Sequence, residues 1–249
     1  MSSEFISGEP PVSPVRPLAA LRALAALRRN PQDTQQVFLL TEALRGRSGL
    51  RLIERVRADA AGQRLLRERP ALLDSLTDRA YLRSLPEGSL GRAYLAFMAS
   101  EDLSAEGLVE VSRDTGLYVA GDTSDRGYFS KRLRDMHDLF HVLTGYGRDE
   151  LGEICVLAFS YPHQRTRSFA LIAFFGMLSL RHRLGVRGVS AAVRQAWRQG
   201  RRAAWLPVQP LEQLLAEDLQ ALRERLGIAV PTRYLAVQQA LQARAAVPG

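Results

Sequence analysis

Residues 134–153 constrain the fold more than any other part of the chain. His137 and His141 are four residues apart, and on an α-helix this spacing places both imidazoles on one face, one turn apart. The glycine-containing segment 144–149 predicts the end of that helix and, at its last residue, an aspartate cap for a second helix. Two antiparallel helices joined by this turn would bring Glu153 opposite His141.

Imidazoles and carboxylates that converge on one point form the ligand set of a metal ion. The predicted metal ligands, which are also the candidate catalytic residues, are His137, Asp138, His141 and Glu153. The role of Asp138 stays open, because it can either ligate the ion or orient a histidine by a hydrogen bond. Zinc suits the set, and iron, manganese and cobalt are alternatives.

The remaining histidines are weaker candidates for a metal site. His163 follows a proline and is predicted to lie in a loop, whereas His182 ends an apolar helix and would stabilise its C-terminus. Cys155 is the only cysteine, so a disulfide framework and a cysteine-based zinc site are excluded. No P-loop, dinucleotide fingerprint or Ser-His-Asp signature is present.

The chain shows helical periodicity and no sustained period-two alternation, so the predicted fold is all-α. We expect a single-domain multi-helix bundle that contains the metal-binding helix hairpin. Residues 1–16 are rich in proline and serine and are predicted to be a disordered N-terminal segment, ahead of a helical domain over 17–249. Predicted elements include helices over 18–29, 33–44, 132–144, 149–159, 166–183, 190–202, 211–226 and 234–245, and a loop around 115–130.

The most apolar predicted helix, over 166–183, allows two interpretations. It is either a central core helix or the wall of an apolar cavity for a long hydrocarbon ligand, with Gly176 making room. In the second case Phe174 and Phe175 are candidate substrate contacts. Arg134, close to the histidines in sequence, is a candidate for binding a substrate carboxylate.

The net charge of +8 and the pI of about 10.3 come almost entirely from arginine. This indicates either anionic partners or a genome that encodes its basic residues as arginine. The arginines are mixed with acidic residues along many helices, which argues against nucleic-acid binding. The longest apolar run, over 169–180, is too short to cross a bilayer, and residues 1–17 do not form a signal peptide. We therefore expect a cytoplasmic protein, either free or attached to a membrane surface.

The central motif resembles that of the Coq4 family of ubiquinone-biosynthesis proteins. It comprises the Arg-Asp pair at 134–135, His-Asp-x-x-His at 137–141 and Gly-Glu at 152–153. The similarity extends from about Asp33 to Pro231. Flanking segments that resemble the family are Glu68-Arg69-Pro70, Leu85-Pro86, Gly91-Arg92-Ala93-Tyr94, Ala196 to Gly200 and Leu226-Gly227-Ile228.

The resemblance implies an all-α protein on a membrane face that binds a polyprenylated aromatic or quinone lipid. It implies that the motif residues are zinc ligands, and that the protein removes the C1 carboxylate of a polyprenylated hydroxybenzoate, with hydroxylation there in some accounts. The family is also regarded as an organiser of the quinone-biosynthetic enzymes. After Glu153 this chain departs from the family's usual pattern, which indicates a bacterial Coq4-like member.

Two functions follow as expectations. The first is a metal-dependent lyase, a C1 decarboxylase. The second is a non-catalytic scaffold that binds a prenyl lipid and organises other quinone-biosynthesis enzymes. In both cases we expect location in the bacterial cytoplasm, peripheral to the inner face of the cytoplasmic membrane, and the apolar helices are compatible with a homodimer.

Overall fold

A computed structural model of the chain describes residues 14–29, 33–44, 46–100 and 122–246. Most of these residues are helical, and none of them forms a strand. The predicted all-α fold is confirmed. The predicted disorder of residues 1–16 falls mostly outside the described residues, and so do residues 115–121 of the predicted loop at 115–130. The loop prediction is wrong for residues 125–130, which form the beginning of a helix. An isolated backbone bridge between Ser89 and Asp218 is the one strand-like pairing among the described residues.

The first half of the chain forms short helices. They are α1 (Pro17–Arg29), α2 (Thr34–Leu44), α3 (Ser48–Ala58), α4 (Ala60–Glu68), α5 (Leu72–Thr77), α6 (Arg79–Ser84) and α7 (Leu90–Ser100). The predicted aspartate cap of α2 is confirmed, because the Gln36 N–H donates to Asp33 Oδ1 at 3.2 Å.

The second half contains the predicted hairpin and the longest helices. They are α8 (Asp125–Asp135), α9 (His137–Thr144), α10 (Glu150–Gln164), α11 (Arg167–Leu184), α12 (Val189–Arg202), a 3-10 turn (Leu206–Val208), α13 (Leu211–Leu214), α14 (Leu219–Leu226) and α15 (Thr232–Ala245). The main hydrophobic core joins residues of α5 to α7 and α9 to α15. Helix α10 lies in this core and packs on both α11 and α12.

The predicted helix over 132–144 is two helices, which meet at the fully buried Met136. The Met136 N–H is shared between the carbonyl groups of Arg132 and Arg134, and this tighter turn separates α8 from α9. The predicted interruption at Pro162 is wrong, because α10 continues to Gln164 with the proline inside it. Burial of Phe159 and His163 on either side of the proline maintains the helix there.

The single amphipathic helix predicted over 211–226 is also two helices. The backbone between them pairs with the segment that begins α7: the Leu90 N–H donates to Glu217 O at 2.9 Å, and the Leu219 N–H donates to Gly88 O at 2.9 Å. Because these backbone groups bond to the segment that begins α7, they cannot form the hydrogen bonds of one continuous helix. Asp218 then caps α14 through the Ala221 N–H, and Gly227 ends it as predicted.

Helix α11 is not a central core helix. Only Ser168, Ala173 and Leu180 of its eighteen residues are buried, because it packs on one side against the rest of the protein. Phe174 and Phe175 are 52% and 43% exposed. The space at Gly176 is occupied by Ile154 of α10, whose Cδ1 would lie 2.9 Å from an added Cβ. The apolar cavity stays a prediction.

A bilayer-crossing helix does not occur in the described part of the chain, where no helix combines the necessary length and apolar character.

A buried ion pair joins α8 to α13. Arg132 is almost completely buried, its Nη2 donates to Glu212 Oε2 at 3.0 Å, and the same nitrogen donates to Gln209 O at 3.0 Å. Removing the carboxylate would leave a buried guanidinium without its counter-charge, which is strongly destabilising.

We predict that Glu212→Ala lowers the free energy of unfolding by about 3–5 kcal/mol, measured by urea denaturation. Glu217→Ala is the control, because Glu217 forms an exposed pair with Arg225, and we expect its loss to cost less than about 1 kcal/mol. Equal effects of the two substitutions would contradict the importance of the buried pair.

Candidate metal centre

The candidate site lies between α9 and the first turn of α10. His137 and His141 are one turn apart on α9, as predicted, and Glu153 projects from the first turn of α10. His137 Nε2 and His141 Nε2 lie 3.6 and 3.4 Å from Glu153 Oε2. One ligand atom from each residue lies within 4.8 Å of the others, so the three residues form a group able to hold a metal ion.

In both histidines the ring nitrogen Nδ1, which is not directed at Glu153, makes a hydrogen bond. His141 Nδ1 donates to the carbonyl oxygen of Tyr146 at 3.0 Å, because a carbonyl group can only accept. His137 Nδ1 lies 3.2 Å from Asp138 Oδ1, where it donates to the carboxylate. With the protons on Nδ1, a neutral imidazole presents its Nε2 lone pair to the space beside Glu153.

One further observation supports the binding of a divalent ion by these three residues. His141 Nε2 is buried and lacks a hydrogen-bond partner within the described residues. A buried nitrogen of this kind is costly unless something ligates it. Two imidazoles and a carboxylate suit zinc, iron, manganese or cobalt, and the geometry does not choose between them.

Asp138 does not belong to the group that surrounds Glu153 Oε2. Its Oδ1 lies on the far side of the His137 ring, at Nδ1, while Nε2 of the same ring points to Glu153. A carboxylate bound to the outer nitrogen of a ligand histidine fixes the orientation and tautomer of the ring. The structure therefore places Asp138 where the orienting alternative requires it.

The charges around the site keep the carboxylates ionised. Burial would raise the pKa of Glu153, but His141, His137 and Arg148 together hold that pKa below its usual value. Burial likewise opposes ionisation of Asp138, yet the hydrogen bond with His137 lowers its pKa. For His137, burial is outweighed by Asp138 and Glu153, and its pKa is raised. Protons therefore compete with a cation at His137, and affinity for a metal falls as the pH falls.

The turn between α9 and α10 fixes the position of Glu153. Asp149 Oδ1 accepts from the Leu151 and Gly152 N–H groups, which confirms the predicted cap. The Tyr234 hydroxyl donates to the other oxygen of Asp149, and it accepts from the Gly147 N–H at 3.0 Å. A Cβ on Gly152 would lie 1.9 Å from the Gly147 carbonyl oxygen, so only glycine permits this approach.

The C-terminal end of α9 is also held by Arg223 of α14. Its guanidinium donates to the carbonyl groups of Leu143 and Val142 at 2.9 and 2.8 Å, which would otherwise lack helical partners. The Phe97 ring of α7 stacks on the His141 ring, with centroids 5.6 Å apart and planes 20° apart. These contacts across the fold are not visible in the sequence pattern.

Arg148 is a site residue that the sequence prediction missed. Its Nη1 lies 3.5 Å from Asp138 Oδ1, and its Nε lies 3.8 Å from Glu153 Oε1. The only signal in the sequence is its position directly before the capping aspartate, in the turn that joins the two helices.

The predicted substrate residues Arg134, Phe174 and Phe175 make other contacts in the structure. Arg134 is paired with its neighbour Asp135, its Nε donating to Oδ1 at 2.8 Å. Phe174 and Phe175 lie on the outer face of α11, where their rings make an edge-to-face contact at 5.3 Å. Their role as substrate contacts stays a prediction.

The fold and site can now be compared with known proteins. The family profile "Coenzyme Q (ubiquinone) biosynthesis protein Coq4" matches residues 13–232. The mitochondrial COQ4 homolog of Homo sapiens is 35% identical over 210 residues, which cover 83% of this chain and 75% of that protein. The COQ4 protein of the yeast Scheffersomyces stipitis is 30% identical over 181 residues, covering 73% of this chain and 54% of that protein.

A crystal structure from Nostoc punctiforme, whose provisional name assigns it to ubiquinone biosynthesis, shares the fold. It has a TM-score of 0.64 at 23% identity, and the match covers 86% of this chain and 97% of that one. The family profile and the human homolog place the chain in a class of ubiquinone-biosynthesis proteins. The chain belongs to the Coq4 family.

His163 lies in α10 and is buried, so the predicted loop position is wrong. It packs against the rings of Phe140 and Phe159, with centroid distances of 6.4 and 5.1 Å. Burial, with a contribution from Arg55, lowers the pKa of His163 to about 4. The folded protein therefore keeps this ring neutral at a pH where the unfolded chain protonates it.

We predict that this histidine makes the fold sensitive to acid. Because the pKa of His163 in the folded protein lies below the unfolded value of about 6.5, the contribution of the neutral ring to stability is fully present above pH 6.5. It is lost as the pH falls toward 4, by on the order of 3 kcal/mol. His163→Phe should remove this part of the pH dependence in urea denaturation at pH 7 and pH 5. His182→Phe, at the exposed end of α11, should leave it unchanged, and identical pH profiles for the two variants would contradict the assignment.

Proposed function

We propose that this protein is a metal-dependent lyase of ubiquinone biosynthesis that removes the C1 carboxylate of a polyprenylated hydroxybenzoate. The observation that carries the proposal is the shared orientation of His137 Nε2, His141 Nε2 and Glu153 Oε2 toward one point. Three protein ligands leave coordination positions for a substrate, which is the arrangement of catalytic rather than structural metal sites.

The protein residues would each have a distinct task. His137, His141 and Glu153 would hold the ion, and Asp138 would fix the His137 ring. Phe97 and the buried Tyr146 would limit the access of water on the His141 side. When bound, the ion supplies a Lewis acid that stabilises the negative charge left when carbon dioxide departs from C1. With zinc, any hydroxylation at C1 would require dioxygen and electrons from the substrate, because zinc has no redox chemistry.

The rival function is a non-catalytic scaffold that binds a prenyl lipid and organises other enzymes. The exposed apolar face of α11 favours it, because a surface of this kind is typical of a binding site. In that case the ion would be structural.

We predict that His141→Ala yields a folded protein that has lost its metal and its turnover of a prenylated 4-hydroxybenzoate. Loss of one ligand should weaken metal affinity by more than about tenfold. Elemental analysis, circular dichroism and mass spectrometry of the ring product give the three measurements. His182→Ala is the control and should retain metal and turnover. If His141→Ala unfolds, and the metal-loaded wild-type protein never changes the ring, the scaffold function replaces the lyase.

We further propose that the protein works at the surface of an anionic membrane, through α11. The exposed residues Arg167, Leu171, Phe174, Phe175, Leu178, Arg181 and His182 follow helical spacing and lie on one face. The centre of that face is apolar and both ends are basic. A helix of this pattern binds in the plane of a lipid surface.

The surrounding charge supports an anionic surface. Residues 154–211 contain no Asp or Glu and nine arginines, and each of the nine is exposed. The expected mixing of arginines with acidic residues is therefore wrong for this part of the chain. Arginines spaced among exposed leucine and phenylalanine suit a headgroup layer above hydrocarbon.

We predict that Phe174→Ser combined with Phe175→Ser weakens binding to phosphatidylglycerol vesicles by at least about tenfold. The reason is that the variant lacks the two apolar rings that would be buried in the acyl layer. Vesicle co-sedimentation measures the effect, and high salt should weaken binding of the wild-type protein. Leu235→Ser, which removes an exposed leucine from α15, is the matched control. Equal binding to neutral phosphatidylcholine would contradict the electrostatic part of the proposal.

A further inference from the structure

Arg148 lies between the two carboxylates of the candidate centre. Its Nη1 is 3.5 Å from Asp138 Oδ1, the oxygen that accepts from His137, and its Nε is 3.8 Å from Glu153 Oε1. The two histidines face the other oxygen of Glu153, Oε2. One carboxylate therefore separates the candidate metal position from the guanidinium.

The contacts of Arg148 are long for an arginine whose task is to pair with these carboxylates. A bidentate arginine–carboxylate pair has N···O distances of about 2.7–2.9 Å. At 3.5 and 3.8 Å neither Asp138 nor Glu153 forms such a pair. A guanidinium carries five N–H donors in a fixed plane, so donors remain for a further acceptor.

The exposure of the side chains shows from which side a ligand can reach the centre. His137, Arg148 and Glu153 are each 30–33% exposed, whereas His141 and Asp138 are 0% and 8% exposed. Among the described residues, the open rim includes one ligand histidine, the ligand carboxylate and the guanidinium. Arg148 therefore borders the exposed side of the candidate centre.

The charges of the rim favour an anion. A bound divalent ion would offset the negative charges of the Asp138 and Glu153 carboxylates. The guanidinium of Arg148 then leaves the loaded centre with a net positive charge. A carboxylate has two oxygens that can contact a cation and a guanidinium at the same time.

We propose that Arg148 is the residue that recognises the carboxylate of an aromatic substrate, one oxygen being held by the guanidinium beside the metal position. This inference rests on the proposed function for the choice of substrate, and it adds the group that selects a ring with a carboxylate over a ring without one. Arg148 takes the role that the sequence analysis assigned to Arg134, which is engaged with Asp135.

The alternative is that Arg148 only positions Asp138 and Glu153. A positioning arginine would affect the affinity for metal, whereas a carboxylate-binding arginine would affect the affinity for one class of ligand. The two roles are separated by measuring both affinities on the same variants.

The experiment uses the full chain loaded with zinc, as wild type, Arg148→Gln and Arg148→Lys. Calorimetry measures the binding of 4-hydroxybenzoate and of phenol, which lacks the carboxylate, and chelator competition measures zinc affinity. We expect Arg148→Gln to weaken 4-hydroxybenzoate binding by about tenfold or more, with phenol binding and zinc affinity changed by less than about threefold. Arg148→Lys should restore part of the loss, because it keeps the charge without the planar pair of donors. Arg187→Gln, at an exposed site between α11 and α12, is the control and should change nothing.

The assignment of Arg148 is overturned if zinc affinity falls together with ligand binding, if phenol is weakened as strongly as 4-hydroxybenzoate, or if the wild-type protein binds neither. The proposed lyase function fails separately: the wild-type protein would then bind 4-hydroxybenzoate through Arg148, yet leave a prenylated hydroxybenzoate unchanged.

Discussion

The candidate centre depends on the close approach between the Gly147 carbonyl group and the first turn of α10 at Gly152. No side chain fits between them, since a Cβ would come within 1.9 Å of the oxygen. The chain can therefore turn back and begin α10 at once, with Asp149 satisfying the first free N–H groups. Glu153 follows one residue later, and this short path is what brings its carboxylate to the two histidines.

The core of the site could be predicted because it is encoded locally. The spacing of His137 and His141 determines their common face on a helix, and a short turn leaves few positions for Glu153. The role of Asp138 could not be predicted, since it depends on which way the side chain points. Arg148 was missed for a related reason: its contacts depend on where the turn places a long, flexible side chain.

Elsewhere the helical fold was predictable, and the errors arose where distant segments compete for backbone groups or bury a residue. The periodicity over 211–226 is helical, but segment 88–91 engages the backbone between Leu215 and Leu219. His163 follows a proline, a local signal for a loop, yet it is buried in the core against two aromatic rings. For α11 the sequence shows an apolar helix but cannot show that one side of it lacks a neighbour among the described residues.

The hydroxyl of Tyr234 lies outside the segment that matches the family, yet it supports the candidate centre. The match to the family ends at residue 232, and Tyr234 lies two residues further on, in α15. Tyr234 and Gln238 both donate to Asp149, the residue that begins the helix of Glu153. A chain shortened to the shared segment would keep every ligand of the centre and lose two of the groups that hold its turn. The segment matched by the family profile is therefore smaller than the unit that maintains the geometry of the site.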